Sequence, residues 1–140
     1  REKTYMYRIE TAPKKNVFER KLIYGLGSAL NTADMRTAAG YLAGQHDFFG
    51  FSTGKRTKKS TIRTIYELAI EEHGSEVRIV VRGNGFLYNM VRILAGTLIE
   101  VGQGARRPES VLKVLETGDR QLAGRTAPPE GLFLVGVGYE

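Results

Sequence analysis

A nearly continuous apolar segment extends from Phe86 to Val101 and is too apolar to form a solvent-facing helix. Its residues would be apolar almost all the way round a helix, which is the pattern of a buried helix. Gly102 and Gly104 follow it and end the predicted helix. Because such a helix has no polar face to present to water, other elements of the chain must cover it.

Alternation of apolar with polar residues predicts the strands that cover this helix. The predicted strands are Thr4–Glu10, Thr61–Glu71, a strand that opens at Val77, and Leu132–Tyr139. The turn His73-Gly74-Ser75 joins the second and third of them as a β-hairpin. In the first strand of that hairpin, one side is predicted to carry Ile62, Thr64, Tyr66, Leu68 and Ile70.

Two further helices are predicted from their caps and spacing. One begins at about Thr32, with Asn31 or Thr32 as its cap, and ends at Gly44. The other begins at Pro108 and continues to about Glu116. Together the elements predict one α+β domain over residues 1–140, an antiparallel sheet with helices packed on one face.

Composition excludes several classes of protein. No apolar run approaches the roughly 20 residues of a membrane helix, and the first four residues are not a signal peptide. The chain has no cysteine and only two histidines, which excludes disulfides and thiolate metal sites and argues against a metalloenzyme. We therefore expect a cytoplasmic protein with no metal site and no contact with a membrane.

The charge distribution indicates an anionic partner. The net charge is +6 with a pI near 9.7, a balance that nucleic-acid-binding proteins often show. One acid-free loop concentrates the charge, with the basic residues Lys55, Arg56, Lys58, Lys59 and Arg63. Smaller basic pairs are Lys14-Lys15, Arg20-Lys21 and Arg106-Arg107. The loop is either a solvated arm or an RNA phosphate contact, and we favour the phosphate contact. Arg106-Arg107 is interpreted as a solvated pair.

Arg92 is the one strongly charged side chain of the apolar helix before Glu100. Guanidinium stays protonated in any protein environment, so burying it without a partner is very costly. Tyr88, Asn89, Ala95 and Gly96 lie three or four residues away and supply no acid. Arg92 either reaches an anion from elsewhere, or it reaches the surface or satisfies backbone carbonyls. The residues alone do not separate these alternatives.

Several other residues have a structural and a functional interpretation. Tyr5 on its strand is by itself most often a sheet-face or core aromatic. Gly83-Asn84-Gly85 is best explained as a strand-to-helix turn, although it would also let backbone approach a phosphate. Core anchoring is favoured over base stacking for Phe48, Phe49 and Phe51, in a segment predicted to be turn-like. Asp47 is interpreted as a turn or cap residue.

The chain resembles the bacterial tRNA pseudouridine synthase A family in several motifs that occur in the same order. The most specific is Arg82-Gly83-Asn84-Gly85-Phe86-Leu87-Tyr88-Asn89-Met90-Val91-Arg92, followed by Ala95-Gly96-Thr97-Leu98. Others are Thr4-Tyr5-Met6-Tyr7, Gly44-Gln45-His46-Asp47-Phe48, Arg63-Thr64-Ile65, and Thr126-Ala127-Pro128-Pro129-Glu130-Gly131-Leu132 after Ala123-Gly124. The resemblance spans nearly the whole chain.

The resemblance implies a function and a set of site residues. Enzymes of this family convert uridines of the tRNA anticodon stem-loop to pseudouridine without a cofactor, usually as homodimers. The family's base-packing tyrosine falls on Tyr5, and its aspartate-pairing arginine falls on Arg92. Five basic residues are then expected to contact tRNA phosphates: Lys55, Arg56, Lys58, Lys59 and Arg63. Pro128-Pro129 is expected near the active cleft.

The family's catalytic aspartate follows Arg-Thr in its motif, and no aspartate of this chain stands in that context. Asp34, Asp47 and Asp119 all lie in other surroundings. The chain therefore resembles the C-terminal half of a two-part fold, and it is expected to be inactive without the N-terminal part. Where the family often has two histidines, this chain has Tyr88-Asn89.

Two other classes of function explain part of the sequence. A non-catalytic RNA-binding module of similar architecture is the first, but Val77–Arg82 lacks the aromatics of an RRM strand. An oligomerisation domain is the second, and it leaves the basic loop unexplained. An Arg-Thr-Asp motif after a strand, encoded immediately upstream, would favour the enzyme.

Overall fold

The computed structural model describes residues 1–13 and 22–138. The strands are β1 Glu2–Glu10, β2 Tyr24–Gly25, β3 Gly44–Asp47, β4 Ile62–His73, β5 Glu76–Gly83 and β6 Leu132–Gly138. The α-helices are α1 Thr32–Leu42, α2 Met90–Gly102 and α3 Ser110–Thr117. Short 3-10 turns cover Phe49–Phe51, Arg120–Leu122 and Pro129–Gly131. The basic pairs Lys14-Lys15 and Arg20-Lys21, and Tyr139 at the end of the last predicted strand, lie outside the described residues.

The described strands form one six-stranded sheet in the order β2-β1-β5-β4-β3, with β6 also paired to β1. Every pairing is antiparallel except that of β2, which runs parallel to β1 through Ile9 and Tyr24. The sheet is therefore mixed rather than wholly antiparallel. A strand of two residues is too short to show a period of two, and β2 is therefore not among the predicted strands.

The α+β architecture with helices on one face of the sheet is confirmed. Alternate residues of the central strands point into a single core: Tyr7, Ile9, Val77, Ile79 and Val81. Helix α2 fills the centre of that core, because all its residues except Arg92 and Glu100 are buried. None of the described helices is long and apolar enough to cross a membrane.

A β-bulge in β4 overturns the predicted one-sided alternation of that strand. Ile65 pairs with Gly83, but the next pair is Glu67 with Arg82, so Tyr66 is the extra residue. A bulge shifts the alternation of side chains by one residue. The residues that face the core are therefore odd-numbered before the bulge, as at Ile65, and even-numbered after it, as at Ile70. Ile62 and Tyr66, predicted to share a side with Ile70, are consequently exposed.

Two other boundaries differ from the predicted ones. Helix α2 begins at Met90 rather than Phe86, because Asn89 adopts a left-handed conformation with φ of 60°. The segment at Gly44–Asp47, predicted as a helix end and a turn, pairs with β4 as strand β3. The capping prediction for α1 is confirmed, since the Asn31 side chain accepts a hydrogen bond from the Asp34 backbone N–H.

A segment at residues 124–127, in which Gly124 and Ala127 are buried, crosses α2 in very close contact. The Gly124 N–H donates to the Thr97 hydroxyl at 2.8 Å, and that hydroxyl donates to the Ile93 carbonyl at 2.7 Å. A methyl group at Gly96 would lie 1.8 Å from the Arg125 carbonyl oxygen, so only glycine fits there. We call residues 124–127 the strap.

Glu76 links β1 to β5 on the face of the sheet opposite the helices. Its two oxygens accept hydrogen bonds from Arg8 at 2.6 and 2.9 Å, and Arg78 donates to it at 2.8 Å. These bonds from Arg8, reinforced by Arg78 and opposed by burial, lower the pKa of Glu76 to about 2. Glu76 therefore stays ionised and paired at pH values well below the usual pKa of a glutamate.

We expect Glu76→Gln to lower the free energy of unfolding at pH 7 by about 2 kcal/mol. Because the folded-state pKa is depressed, this contribution is complete above about pH 4.5 and disappears as the pH falls towards 2. Urea melts of wild type and variant at pH 7 and pH 3 measure the difference, which should shrink at pH 3. Glu116→Gln, at a carboxylate whose side chain is 70% exposed, should show no such pH-dependent difference. An equal loss at both pH values would contradict the assignment.

Candidate catalytic and RNA-binding site

Tyr5 and Arg92, which are 87 residues apart in the sequence, line one open groove beside the start of α2. The groove has a volume of about 280 Å³. Its other walls are the segment Phe86–Val91 and Leu132 of β6. Strand β1 brings in Tyr5, the first turn of α2 brings in Arg92, and β6 closes the side. The sequence-predicted catalytic pair therefore shares a single concave surface.

Tyr5 is half-buried and held by an aromatic neighbour. It points to the helix-bearing face of β1, where its ring packs edge-on against Phe86 with 5.3 Å between centroids. Tyr7, two residues on, is fully buried, and its hydroxyl donates to the Pro128 carbonyl at 2.5 Å. Burial, together with the nearby carboxylate of Glu130, raises the pKa of Tyr7 above its usual range. Of these two tyrosines, Tyr5 is the one that lines the groove.

Arg92 is tied to the strap but not neutralised by it. Its Nε donates to the Ala127 carbonyl at 2.8 Å, and the Ala127 N–H donates back to the Arg92 carbonyl at 3.0 Å. The interpretation in which Arg92 satisfies a backbone carbonyl is therefore correct for Nε.

The contact with the strap uses Nε and leaves the two terminal nitrogens of Arg92, a groove-lining residue, available. Among the described residues they have no hydrogen-bond partner, and no carboxylate lies within 4.0 Å of them. Both Glu130 and Arg92 influence the pKa of Tyr7, yet the two do not form an ion pair with each other. An anion for Arg92 is thus not supplied by residues 1–13 or 22–138.

The basic loop is exposed throughout residues 53–60. Lys55, Lys58 and Lys59 form no ion pair with any described residue, so their ammonium groups are free to meet an anion. Arg63 donates to the carbonyls of Ser60 and Ile62, both at 2.9 Å. The three lysines therefore have the accessibility that phosphate contact requires.

Arg56 differs from these lysines because it packs back on the protein. Its guanidinium lies 4.1 Å from the centre of the Phe49 ring and donates to Thr61 at 3.1 Å. It also reaches Asp47 at 3.5 Å. Burial would raise the pKa of Asp47, but hydrogen bonds from Thr61 and the Phe49 N–H, with the Arg56 charge, hold it below its usual range. Arg56 thus anchors the base of the loop.

Two more grooves join the loop to the groove that holds Tyr5 and Arg92. One, of about 160 Å³, is lined by Lys55, Lys59 and Arg63 on one side and by Leu87 and Tyr88 on the other. The second, of about 470 Å³, includes Arg63, Lys3 and Phe86. The segment Phe86–Tyr88 therefore contributes residues to all three grooves.

The remaining sequence predictions have mixed outcomes. Phe48 and Phe51 are fully buried core residues, as predicted, whereas Phe49 is only half-buried and lies under Arg56. Asp47 is a turn residue, since its carboxylate accepts from the Phe49 N–H two positions on at 3.1 Å. Asn84 pairs with the backbone of Thr64 in both directions, which confirms the turn interpretation of Gly83-Asn84-Gly85.

The prediction that Arg106 is solvated is wrong. Its side chain is only 14% exposed and pairs with Glu100 at 3.4 Å. It also donates to Ser110 at 2.8 Å and to the Leu122 carbonyl at 2.5 Å. Arg106 therefore fastens the segment after α3 to α2, which residue type alone did not indicate.

Comparison with known proteins matches the chain to one family. Residues 38–140 match the family model described as tRNA pseudouridine synthase. Curated relatives named tRNA pseudouridine synthase A include those of Brevibacillus brevis, 44% identical over 98% of this chain, and Bacillus subtilis, 45% identical over 99%. A Clostridium perfringens relative named tRNA pseudouridine synthase A 2 is 41% identical over 98% of the chain.

In each case the chain spans 56% of the relative's length. The match thus covers almost all of this chain and a little over half of each relative. With the family model and these identities taken together, the chain belongs to the tRNA pseudouridine synthase family.

Proposed function

We propose that the protein carrying this chain converts uridine to pseudouridine in the anticodon stem-loop of tRNA, without a cofactor. Residues 1–140 would form one domain, the C-terminal part of the enzyme, and the catalytic aspartate would come from the part that precedes it. The observation that carries the proposal is the Arg92 guanidinium, which borders a groove with Tyr5 and meets no carboxylate of the described residues.

Tyr5 and Arg92 would have different roles at the reacting nucleotide. Tyr5 would pack its ring on the target base, supported from the side by Phe86. Arg92 would pair with the aspartate, whether that aspartate acts as nucleophile or as base at the ribose. Because the Nε of Arg92 is held by the Ala127 carbonyl, the terminal nitrogens are already oriented before the carboxylate arrives. The uracil is then detached from C1′, turned, and rejoined through C5, which releases the C5 proton.

The free lysines of the basic loop would bind tRNA phosphates, with Arg63 beside them and Arg56 holding the loop base. Phosphate contacts supply affinity and position rather than choice of sequence. The groove lined by Lys55, Lys59, Arg63, Leu87 and Tyr88 would give the RNA strand a path from the basic loop to the groove of Tyr5 and Arg92. We also propose, from the family resemblance, that the enzyme is cytoplasmic and forms a homodimer. Light scattering of the purified protein would test the homodimer.

Replacing Lys55, Lys58 and Lys59 together with alanine should weaken tRNA binding. Log affinity falls with log salt, and the steepness of that fall should decrease by about two in the variant. Fewer counterions are released when fewer phosphates are neutralised. Arg107→Ala with Lys113→Ala, at exposed positions that line none of the three grooves, is the control and should leave the slope unchanged. Filter binding at four salt concentrations measures it. If the triple variant kept the wild-type slope, the loop would be a solvated arm.

Tritium release from C5-labelled uridine in unmodified tRNA transcripts tests the proposed reaction. We expect the full-length protein to release tritium and to place pseudouridine only within the anticodon stem-loop, as mapped by mass spectrometry of nuclease fragments. Tight tRNA binding without release would favour a non-catalytic RNA-binding module. Release from another part of the tRNA would refute the proposed site of action.

A further inference from the structure

Tyr88 is the most exposed of the large hydrophobic residues in the described part of the chain, with 73% of its surface accessible. It borders both the groove of Tyr5 and Arg92 and the groove of Lys55, Lys59 and Arg63. Its hydroxyl has no hydrogen-bond partner, and its ring no aromatic partner, among residues 1–13 and 22–138. No contact within those ranges therefore explains an aromatic side chain at this place.

The backbone around Tyr88 is nevertheless held firmly. The Thr53 N–H donates to the Tyr88 carbonyl at 3.3 Å, and the Asn89 side chain donates to the Thr53 hydroxyl at 3.3 Å. Asn89 is the one non-glycine residue of the described ranges with a positive φ, a conformation that asparagine tolerates better than most residues. This turn holds the backbone of Tyr88 where its exposed side chain borders both grooves.

We propose that Tyr88 stacks on the base of a nucleotide next to the target uridine, and this inference rests on the proposed function. The basic loop would hold phosphates, and Tyr5 would hold the target uracil. The nucleotide between them would then lie over Tyr88. Every base has a π face, so an exposed aromatic ring beside a cationic groove suits a base of any sequence. Tyr88 would thus position the RNA strand without selecting its sequence.

A stacking residue has a different experimental signature from a phosphate contact. Tyrosine is neutral, so its removal releases no counterion and should leave the salt slope unchanged, in contrast to removal of the loop lysines. Base stacking on an aromatic ring changes affinity by about fivefold to a hundredfold on alanine substitution. Because Tyr88 would hold a neighbouring nucleotide equally in ground and transition states, its loss should raise KM and leave kcat nearly unchanged.

The test uses the full-length protein with an unmodified tRNA transcript. Tyr88→Ala should raise Kd and KM by about fivefold to a hundredfold at constant salt slope. Tyr88→Phe and Tyr88→Trp, which keep a flat ring, should retain wild-type values within about twofold, because the ring faces and not the hydroxyl make the contact. Tyr41→Ala is the matched control, since Tyr41 is an exposed tyrosine on α1 that lines neither groove.

A spectroscopic readout reports stacking directly. The chain contains no tryptophan, so Tyr88→Trp introduces a fluorophore whose emission can be separated by subtracting the wild-type spectrum. We expect tRNA to quench that emission, and to leave the emission from Tyr41→Trp unchanged. Quenching together with the affinity loss in Tyr88→Ala would establish the contact.

The outcomes separate this inference from the proposed function. If the wild-type protein forms pseudouridine but Tyr88→Ala keeps wild-type Kd and KM, the stacking inference is wrong and the function stands. If Tyr88→Ala lowers Tm without changing tRNA affinity, Tyr88 packs against another part of the protein, which also overturns the inference. If the wild-type protein forms no pseudouridine in tRNA, the proposed function itself fails.

Discussion

Arg92→Met in the full-length protein is expected to slow pseudouridine formation by at least about a hundredfold, the size of effect seen when a preorganised charged or polar group is removed from a reaction centre. Methionine keeps an unbranched apolar stem like that of arginine but offers no donor to a carboxylate. The aspartate that Arg92 would orient loses its partner at the reacting ribose. Single-turnover tritium release measures the rate without interference from product release.

The same substitution should have only a small effect on folding. It removes one hydrogen bond, from Nε to the Ala127 carbonyl, and a charge that no described carboxylate neutralises. These changes oppose each other, so we expect the free energy of unfolding of the 140-residue chain to fall by no more than about 1 kcal/mol. Arg107→Met, at an exposed arginine, is the control for both measurements. A large loss of stability with full activity would make Arg92 a structural residue and remove the physical support for its proposed role.

Gly96→Ala is expected to destabilise the chain by about 3 kcal/mol, at the upper end of the range for overpacking. The added methyl would lie 1.8 Å from the Arg125 carbonyl oxygen and 3.2 Å from the Ala127 nitrogen, so the strap has to move. Backbone cannot rotate out of the way as a side chain can. In a thermal melt the loss should appear as a fall in Tm of about 10 °C.

Gly40→Ala provides the matched comparison. Gly40 is an exposed helical residue of α1 with no atom within 4 Å of the place where a methyl would be added. Alanine is the better helix former, so this change should stabilise the chain by about 0.5–1 kcal/mol. Displacement of the strap by Gly96→Ala should also disturb Arg92 through Ala127, and hence lower activity in the full-length protein. Equal melting temperatures for the Gly96 and Gly40 variants would show that the strap yields easily.

The parts of the fold that repeat a clear period were predictable from sequence, and the irregular ones were not. The apolar stretch of α2, the hairpin at Gly74 and the alternation of β1 all follow from local pattern. The bulge at Tyr66 was missed because one extra residue reverses the phase of a strand without changing its composition. The late start of α2 depends on one left-handed residue, Asn89, which helix periodicity does not reveal.

The candidate site was predictable where a residue was out of place in its local pattern. Arg92 stood out because it is a permanent cation in an apolar helix, and the groove with Tyr5 lies where that charge emerges. Tyr88 had no such signature, since a tyrosine is acceptable in a core or on a surface. Its position between the two grooves is a consequence of tertiary packing. The distinction between free Lys55 and packed Arg56 likewise depends on the fold. Phe49 and Asp47 precede both cations in the sequence, but their ring contact and ion pair are with Arg56.

In the composite site we propose, the acid that pairs with Arg92 comes from outside these 140 residues, so the decisive assay is tritium release by the 140-residue chain alone. We expect this chain alone to release no tritium from C5-labelled tRNA uridine, even at high protein concentration, while the full-length protein does so in the same assay. Circular dichroism of the chain would establish that it is folded when assayed. Pseudouridine formation at a single tRNA position by the isolated chain would rule out a composite site, because the acid that pairs with Arg92 would then have to lie within the 140 residues.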